Sequence, residues 1–358
     1  MPLTIPSTGK PRVILGLMTF GPDEAAGARI TDPAVYSQVL DVFQRERGYS
    51  EVDTARVYVA GAQEAFTRQA GWKDRGLMLA TKVKYPGDDG DHQGQKVLES
   101  VETSLKELGT DCVDVNPLRP RRRPRHPVRR DLRRPRQAAQ GRQVRAPGRV
   151  QLHGLRGGRG RDAVPGERLG APDHLPGHVQ RHHAGIEPEL LPACRRYGLD
   201  VVVYNPIAGG LFSGKIKSKD MVPNEGRFSD THGTGRNYRG RYFKDSTFEA
   251  LRVVEEAVAK HEKEGLTMIE TALRWVRHHS DLKVGESGSG NGDGIIIGIS
   301  SLEQLGSNLD NLEKGPLPDD VVAALDKAWM ITKADAPNYW HKDLKYTYDT
   351  KEALFGKK

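Results

Sequence analysis

RVILGLMTFG, at Arg12–Gly21, is the first strand signal of a pattern that the rest of the chain repeats. Its short aliphatic run is typical of a strand buried on both faces, and an amphipathic run typical of a helix follows at Pro33–Arg47. The next apolar run, SEVDTA at Ser50–Ala55, repeats the strand signal. Strand and helix signals in alternation predict βα units around a parallel sheet, and therefore an α/β protein.

The alternation continues outward from this stretch through most of the chain. Further strand signals lie at Leu77–Val83, Cys112–Val115, Asp200–Pro206 and Gly294–Ser300. Helix signals lie at Gly61–Gly71, Gln93–Leu108, Ile186–Gly198, Thr247–His261, Thr267–His279, Leu302–Leu312 and Asp319–Ile331. The six strand signals leave room for two more, so the pattern predicts a single (β/α)8 TIM barrel over residues 1–358.

Residues 116–185 interrupt the pattern. This segment has 18 Arg, nine Pro and six of the chain's twelve His, but no Lys, Phe, Tyr, Trp or Ile. Its net charge is +14, while the remaining residues sum to −6 and the whole chain to +8. Such a composition cannot build a core, so strands four to six of the barrel have no normal counterpart here. We expect the segment, as written, to be disordered or mistranslated.

Cysteine content and apolar runs indicate the cellular compartment of the protein. The two cysteines, Cys112 and Cys194, cannot form a disulfide framework and match no metal-ligand spacing, so no metal site is predicted. The first residues lack the apolar run of a signal peptide, and no apolar run approaches the roughly 18 residues that span a bilayer. We therefore expect a soluble cytoplasmic protein.

Two charged residues end apolar strands, where barrel enzymes place their reactive groups. Asp53 belongs to the second strand signal, Lys82 to the third, and Tyr58 lies five residues after Asp53. Lys82 beside the Tyr58 phenol would favour the phenolate and lower the phenol pKa, so the hydroxyl could protonate a carbonyl oxygen as hydride reaches the carbon. Asp53 would hold the ammonium in place. Taken singly, Asp53 could instead cap a helix and Lys82 could reach solvent.

Five motifs, in order along the chain, make the sequence similar to the aldo-keto reductases. They are VILGLMTFG, EVDTARVY, LATKV, VVYNPIAGGLFSGK and IIIGISSLEQLGSNL. The resemblance is greatest to the aflatoxin-aldehyde and succinic-semialdehyde reductase branch, and it covers residues 12–115 and 186–349. It implies reduction of aldehydes or ketones to alcohols with NADPH, with aldehydes of those two types as candidate substrates, and homodimers as a possible assembly.

The resemblance also implies roles for individual residues. Tyr58 would be the proton donor, with Lys82 and Asp53 as its partners. The loop after strand seven would cover the nicotinamide and pyrophosphate through Asn205, Pro206, Ala208, Gly209, Gly210, Leu211, Gly214 and Lys215. Small residues there let the backbone approach phosphates. Gly209 and Gly210 could equally form a simple turn.

The loop after strand eight would hold the adenosine end and a 2′-phosphate. The matching residues are Ser300, Ser301, Gln304 and Asn308. The last three are spaced three and four apart at the start of a helix, where backbone N–H groups favour anions, although Ser301 could also be only the N-cap. Arg227 matches an arginine near substrate or phosphate, with an ordinary solvated arginine as the alternative. Phe228–Tyr242 would be a substrate-selecting loop.

Three features of the family are missing from the interrupted segment. A His should close strand four, yet the chain reads VDVNPLRPRR from Val113. A Ser-Asn pair after strand five and a Gln of strand six are absent as well. The resemblance gives these groups roles near the nicotinamide and in catalysis.

One hypothesis, a frame shift over residues 117–185, accounts for all three losses. Near its start, suitable codons for Pro120 and Arg121 read one base later give a His at or one residue from the expected place. With suitable codons read one base later, QAAQGRQVRAPGRVQLHGLR at Gln137–Arg156 gives KLHKEGKFVRLGVSNFTAFE, which restores the Ser-Asn pair. DHLPGHVQRHH at Asp173–His183 gives TIYQAMYNAIT, which restores strand six and its Gln. A GC-rich gene read off-frame would yield the observed excess of Arg, Pro and His.

Two other functions remain open on the sequence alone. The Arg-rich segment could be a disordered arm that binds nucleic acid or another polyanion through charge, although it lacks the aromatic residues that stack on bases. The barrel could also be a catalytically impaired interaction protein that binds NADPH weakly.

Mass spectrometry of the natural protein tests the frame shift. We expect tryptic peptides from this interval to contain Lys and Phe, because the off-frame reading restores both residue types. Resequencing of the DNA should then find one base fewer near the codon for Pro117, and one base more near that for Gly185, than the sequence as written requires. An Arg-rich peptide that matches residues 117–185 as written would contradict the hypothesis.

Overall fold

The fold is taken from a computed structural model of the chain. The structure describes residues 9–83, 94–113, 174–177, 186–230, 233–287 and 292–336. Most of the Arg-rich segment lies outside these ranges, and with it the expected strand five and the second half of the expected strand four. Within them, no helix is long and apolar enough to cross a membrane.

Six parallel strands form one sheet in these ranges. They are β1 (Val13–Gly16), β2 (Glu51–Asp53), β3 (Met78–Ala80), β4 (His174–Gly177), β5 (Asp200–Tyr204) and β6 (Gly294–Gly298). The order across the sheet is β3-β2-β1-β6-β5-β4, so the first and last of these strands along the chain are neighbours. A closed barrel requires the first and last strands to be neighbours, with the other strands following in chain order on each side. The observed order has this arrangement.

Helices alternate with the strands along the chain. They are α1 (Pro33–Asp41), α2 (Gln63–Gln69), α3 (Gly94–Leu108), α4 (Leu190–Tyr197), α5 (Gly233–Tyr242), α6 (Asp245–Ala259), α7 (Met268–His278), α8 (Leu302–Glu313) and α9 (Asp319–Thr332). A π-helical turn, Val42–Glu46, continues α1. The caps follow the sequence: Asp32 accepts a hydrogen bond from the backbone N–H of Ala34, and Thr267 accepts one from Glu270.

Successive residues of each strand face opposite sides of the sheet. Val13 and Leu15 belong to the main core, which the helices share. Ile14 instead packs with Val202 and Ile296 in a small separate cluster on the inner face. Strands β1, β5 and β6 are therefore apolar on both sides, as their uninterrupted hydrophobic runs predicted.

Three parts of the structure differ from the sequence pattern. Helix α5 lies in the stretch Phe228–Tyr242, which we predicted to be a loop; its glycines and charges give no helix signal, and aromatic contacts such as Phe228 with Tyr242 hold it. Cys112 and Val113 are not in a strand, and the other half of that predicted strand lies outside the described residues.

The third difference is strand β4, which lies inside the interrupted segment. Its backbone pairs in parallel with β5, with His174 opposite Asp200 and Pro176 opposite Val202. Proline is tolerated there because β4 has one neighbour in the described sheet, so the missing N–H can face away from the ladder. The off-frame sequence places strand six in the same stretch.

A buried ion pair joins the amino ends of β1 and β2. Arg12 Nε lies 2.8 Å from Glu51 Oε1, and Nη2 lies 2.7 Å from Oε2. Arg12 is fully buried, and its Nη1 also donates to the carbonyl of Gly292 at 2.7 Å. This bidentate geometry ties β1, β2 and the loop before β6 together at the base of the barrel.

Substitution Arg12→Met tests how much the fold depends on this pair. We expect a loss of roughly 3–5 kcal/mol in the free energy of unfolding, because the buried Glu51 carboxylate is left without its partner. The double variant Arg12→Met/Glu51→Leu should recover most of that loss in urea unfolding, since no buried charge remains. A loss below about 1 kcal/mol in the single variant, typical of an exposed pair, would contradict this role.

Candidate functional site

The carboxyl ends of β2 and β3 bring two of the predicted residues together. Asp53 is the last residue of β2 and is 2% exposed, and Lys82 follows β3 by two residues. The ammonium of Lys82 forms an ion pair with Asp53 Oδ1 and donates to the carbonyl of Thr54 at 2.7 Å. The alternatives of a helix-capping Asp53 and a solvated Lys82 are therefore wrong for this structure.

Tyr58 lies beside this ion pair. It opens a short 3-10 segment, Tyr58–Gly61, and the ammonium of Lys82 is 4.9 Å from the centroid of its ring. The next two residues, Val59 and Ala60, have φ values of 48° and 49°, a left-handed backbone that non-glycine residues rarely adopt. Strained backbone of this kind concentrates at functional sites.

The electrostatics of the three residues differ from expectation in one respect. Burial raises the pKa of Tyr58 above its ordinary value, and this outweighs the opposing effect of the Lys82 charge. Burial lowers the pKa of Lys82, but Asp53 and Tyr58 more than offset it, so the net direction is upward. Lys82 acts on the phenol in the predicted direction, yet the predicted net lowering of the Tyr58 pKa is wrong because desolvation of the phenolate dominates. At neutral pH the site therefore holds a protonated phenol against a charged ammonium.

A second loop, Asn205–Lys215, leaves the carboxyl end of β5. It contains a tight 3-10 segment, Ala208–Ser213, in which Ala208 and Leu211 are fully buried. The side chain of Asn205 organises the turn: its Oδ1 accepts from the backbone N–H of Gly209 at 2.5 Å, and its Nδ2 donates to the Tyr242 hydroxyl at 2.9 Å. Among the other predicted residues of the loop, Pro206 is buried and Lys215 is exposed.

Backbone conformation explains why this loop needs small residues. Gly209, Gly210 and Gly214 have φ values of 70°, 99° and 72°. A Cβ on Gly209 would lie 2.7 Å from the ring of Tyr238, whereas one on Gly210 would meet no atom within 4 Å. Gly210 therefore presents backbone to open space, as a loop that receives a phosphate or a ring requires.

The third predicted group lies beside that loop, because β6 pairs with β5. Ser301 caps α8 and accepts from the backbone N–H of Gln304 at 3.2 Å. The Gln304 side chain in turn accepts from the backbone N–H and the hydroxyl of Ser300, at 2.9 and 3.0 Å. Asn308 is buried one turn further along. The capping role of Ser301 is present, and the N-terminus of α8 carries the positive end of a twelve-residue helix dipole.

Aromatic residues that were not predicted as site residues line the same edge. Tyr204, the last residue of β5, lies close enough to Tyr58, Tyr238, Tyr242 and Arg241 for their charges to act on its titration. Burial raises the pKa of Tyr204 well above its ordinary value, and Arg241 opposes this. Its place at the end of the DVVVY strand was a usable signal. Tyr238 and Tyr242 lie on α5, within the stretch to which the resemblance gives a role in substrate selection, although neither was predicted individually.

Arg227 adds a positive charge beside these aromatic residues. Its guanidinium carbon lies 5.8 Å from the centroid of the Tyr238 ring, and its charge favours the Tyr58 phenolate. The described residues hold no group of three His, Cys, Asp or Glu side chains that could bind a metal ion. The open Gly210 backbone and the N-terminus of α8 suit a phosphate-bearing cofactor such as a dinucleotide.

The residue pattern of the aldo/keto reductase family matches residues 12–117 and 180–330 of this chain. Those two blocks contain every site residue described above. The unmatched interval coincides with the segment in which the βα pattern stops.

Individual relatives agree with the family match. An aldo-keto reductase of Pseudocercospora fijiensis is 32% identical over 307 residues, which cover 84% of this chain and 100% of that protein. The aflatoxin B1 aldehyde reductase member 2 of Rattus norvegicus is 33% identical over 346 residues, which cover 92% and 88%. Among solved structures, a glycerol dehydrogenase of Gluconobacter oxydans has a TM-score of 0.56 at 19% identity, over 96% of this chain and 98% of that one. The family and the shared fold confirm the predicted (β/α)8 barrel.

The contrast between Gly209 and Gly210 gives a matched pair of substitutions. Both Gly209→Ala and Gly210→Ala should incur the left-handed penalty of about 1–2 kcal/mol in unfolding free energy. Gly209→Ala should lose more, because its methyl group would displace the Tyr238 ring. Chemical denaturation measures both. Equal losses in the two variants would show that Tyr238 does not pack on this loop as described.

Proposed function

Because the chain belongs to the aldo/keto reductase family, we propose that it reduces aldehydes to alcohols with NADPH, using Tyr58 as the proton donor. Membership identifies it as an NADP-dependent oxidoreductase. The observation that carries the specific proposal is the buried ion pair of Lys82 with Asp53 beside the Tyr58 ring, at the carboxyl edge of the sheet. Barrel enzymes carry out their chemistry at this edge.

NADPH, when bound, supplies a hydride to the carbonyl carbon. The protein supplies the proton. The raised pKa of Tyr58 keeps its hydroxyl protonated at neutral pH, so the phenol can donate to the carbonyl oxygen as negative charge develops there. The adjacent Lys82 ammonium then stabilises the phenolate that remains. Solvent can return the proton afterwards.

Asp53 and Thr54 hold the ammonium for this task. The Asp53 carboxylate and the Thr54 carbonyl both accept from Lys82 Nζ, which fixes the ammonium at the end of β2. A buried ammonium without such partners would lose its proton more readily. In this proposal Asp53 acts through Lys82, as a positioning residue.

The two loops beside the site would hold the cofactor. The open Gly210 backbone in the loop Asn205–Lys215 would face the nicotinamide and pyrophosphate. Ser300, Ser301, Gln304 and Asn308, at and beyond the N-terminus of α8, would hold the adenosine end, with the helix dipole favouring a 2′-phosphate. This phosphate is what separates NADPH from NADH. We therefore expect NADPH to be the preferred reductant.

The substrate we propose is an aldehyde. Several relatives carry the name aflatoxin B1 aldehyde reductase, so an aldehyde, para-nitrobenzaldehyde, is our first probe. The aromatic rings of Tyr204 and Tyr238 offer an apolar rim for such a molecule, and Arg227 adds positive charge there.

Substitution Tyr58→Phe tests the proton donor. We expect the rate of NADPH oxidation with para-nitrobenzaldehyde, followed by nicotinamide absorbance, to fall by about 10²–10⁴-fold, because no other donor stands beside Lys82 in the proposed mechanism. NADPH binding, measured by calorimetry, should persist.

Tyr49→Phe is the matched control. Tyr49 is a buried residue whose hydroxyl donates to Glu313 at 3.0 Å, away from the carboxyl edge of the sheet. We expect this variant to turn over at the wild-type rate. A Tyr58→Phe protein with wild-type turnover would refute the role of Tyr58, and a folded wild-type protein that binds no NADPH and consumes none would refute the reductase proposal.

A further inference from the structure

Glu64, on α2, carries a buried carboxylate that no step of the proposed mechanism uses. Glu64 is fully buried, and a carboxylate in that position is rare unless it is paired. Oε2 forms an ion pair with Arg56 Nη1, and Oε1 accepts a hydrogen bond from the Thr81 hydroxyl at 2.6 Å. The two oxygens are therefore committed to two different segments of the chain.

Those two segments are the ones that carry Tyr58 and Lys82. Arg56 is two residues before Tyr58, and Thr81 is directly before Lys82. The backbone N–H of Arg56 also donates to the Lys82 carbonyl at 3.0 Å, which closes a ring of contacts around the carboxylate. A shift of Glu64 would therefore move both Tyr58, the proposed proton donor, and Lys82.

Arg56 extends the same contact to the far end of the Tyr58 segment. Its Nη2 donates to the carbonyl of Gly61, the last residue of the 3-10 segment that Tyr58 opens. One guanidinium thus spans the strained residues between Tyr58 and Gly61, and Glu64 holds that guanidinium from the core side. Left-handed Val59 and Ala60 need such support, because their conformation is unfavourable on its own.

The neighbouring residue of α2, Gln63, contacts the segment that carries Asp53. The Gln63 side chain accepts a hydrogen bond from the Thr54 hydroxyl and donates to Thr67 at 2.7 Å. Thr54 follows Asp53 directly and provides the carbonyl that binds Lys82. Two consecutive residues at the start of α2 therefore contact the segments of Asp53, Tyr58 and Lys82.

We propose that Glu64 is a positioning residue that sets the separation between Tyr58 and Lys82 by binding Arg56 and Thr81 together. This inference rests on the proposed function, because the expected effect on kcat requires that Tyr58 is the proton donor. A buried carboxylate suits this task. Its two oxygens are held at a fixed separation, and each binds a different segment, with a strong charge-assisted bond to Arg56.

Glu64→Gln is the central variant. The amide keeps the shape and still accepts from Thr81, but it removes the charge that holds Arg56. We expect kcat to fall about tenfold to a hundredfold, as small misplacement of a reacting group commonly produces. KM for NADPH should stay within about twofold, since the proposed cofactor loops follow β5 and β6, not β2 and β3.

The titration of Tyr58 supplies a readout that does not depend on turnover. Phenolate absorbance in the ultraviolet, taken as the difference between each protein and its Tyr58→Phe counterpart, reports this one residue. Glu64→Gln should move the Tyr58 titration to lower pH, because the Arg56 charge loses its counter-ion and favours the phenolate. The double variant Arg56→Met/Glu64→Gln should move it back toward the wild-type position.

Glu270→Gln is the matched control. Glu270 is also a buried carboxylate that binds two partners, Arg274 Nη1 at 2.7 Å and Lys314 Nζ at 2.6 Å, but it lies on α7. We expect this variant to lose stability as Glu64→Gln does, with kcat and the Tyr58 titration unchanged. Equal losses of kcat in both variants would overturn the proposal, because a general effect of removing a buried charge would then suffice.

A folded Glu64→Gln protein with wild-type kcat and an unmoved Tyr58 titration would also overturn the proposal. If this variant does not fold, Thr81→Val decides, since it removes only the hydroxyl that Glu64 binds. A fall in its kcat at constant KM for NADPH supports positioning, and an unchanged kcat overturns it. An inactive wild type would refute the reductase function alone, and the titrations would still decide the role of Glu64.

Discussion

The register of β2 against β1 is the constraint on which the fold and the site both depend. Glu51 lies opposite Ile14, and Asp53 lies opposite Gly16. Because alternate residues of a strand face the same side, Glu51 and Asp53 both point to the inner face, one at each end of a three-residue strand. Glu51 binds Arg12 at the base, and Asp53 binds Lys82 at the mouth. A slip of one residue would turn both carboxylates toward the helices.

Small residues in the inner layers make room for this arrangement. A Cβ on Gly16 would lie 2.9 Å from a methyl carbon of Ile296, so only glycine lets β1 and β6 approach here. Among the described residues, the inner apolar cluster consists of Ile14, Val202 and Ile296, with Tyr204 packed against it, between the charged base and the polar mouth. The buried charges at both ends of β2 are tolerated because each carboxylate is paired with an opposite charge: Glu51 with Arg12, and Asp53 with Lys82.

The mouth of the barrel carries backbone strain that nearby side chains offset. Asn205 and Ala208 have φ values of 61° and 53°, and Asn205 bonds both the loop and Tyr242 of α5. On the opposite side, Arg56 spans the strained segment after Tyr58. Both strained turns lie beside proposed reacting groups, where fixed geometry matters more than local stability. The proposed reacting groups are therefore held by turns whose strained backbone is supported by side-chain hydrogen bonds.

Short-range sequence patterns predicted the strand and helix alternation, the placement of Asp53 and Lys82 at strand ends, and the cap at Ser301, because burial and helix capping recur at fixed spacings along the chain. Long-range contacts were needed to show that the Lys82 ammonium does meet Asp53 beside Tyr58. They also showed that burial raises the Tyr58 pKa and that α5 covers the loop after β5. Only the tertiary structure decided the pairing of Arg12 with Glu51 and of Glu64 with Thr81. Partners 17 to 39 residues apart meet through the order and register of the strands, and no local periodicity encodes those.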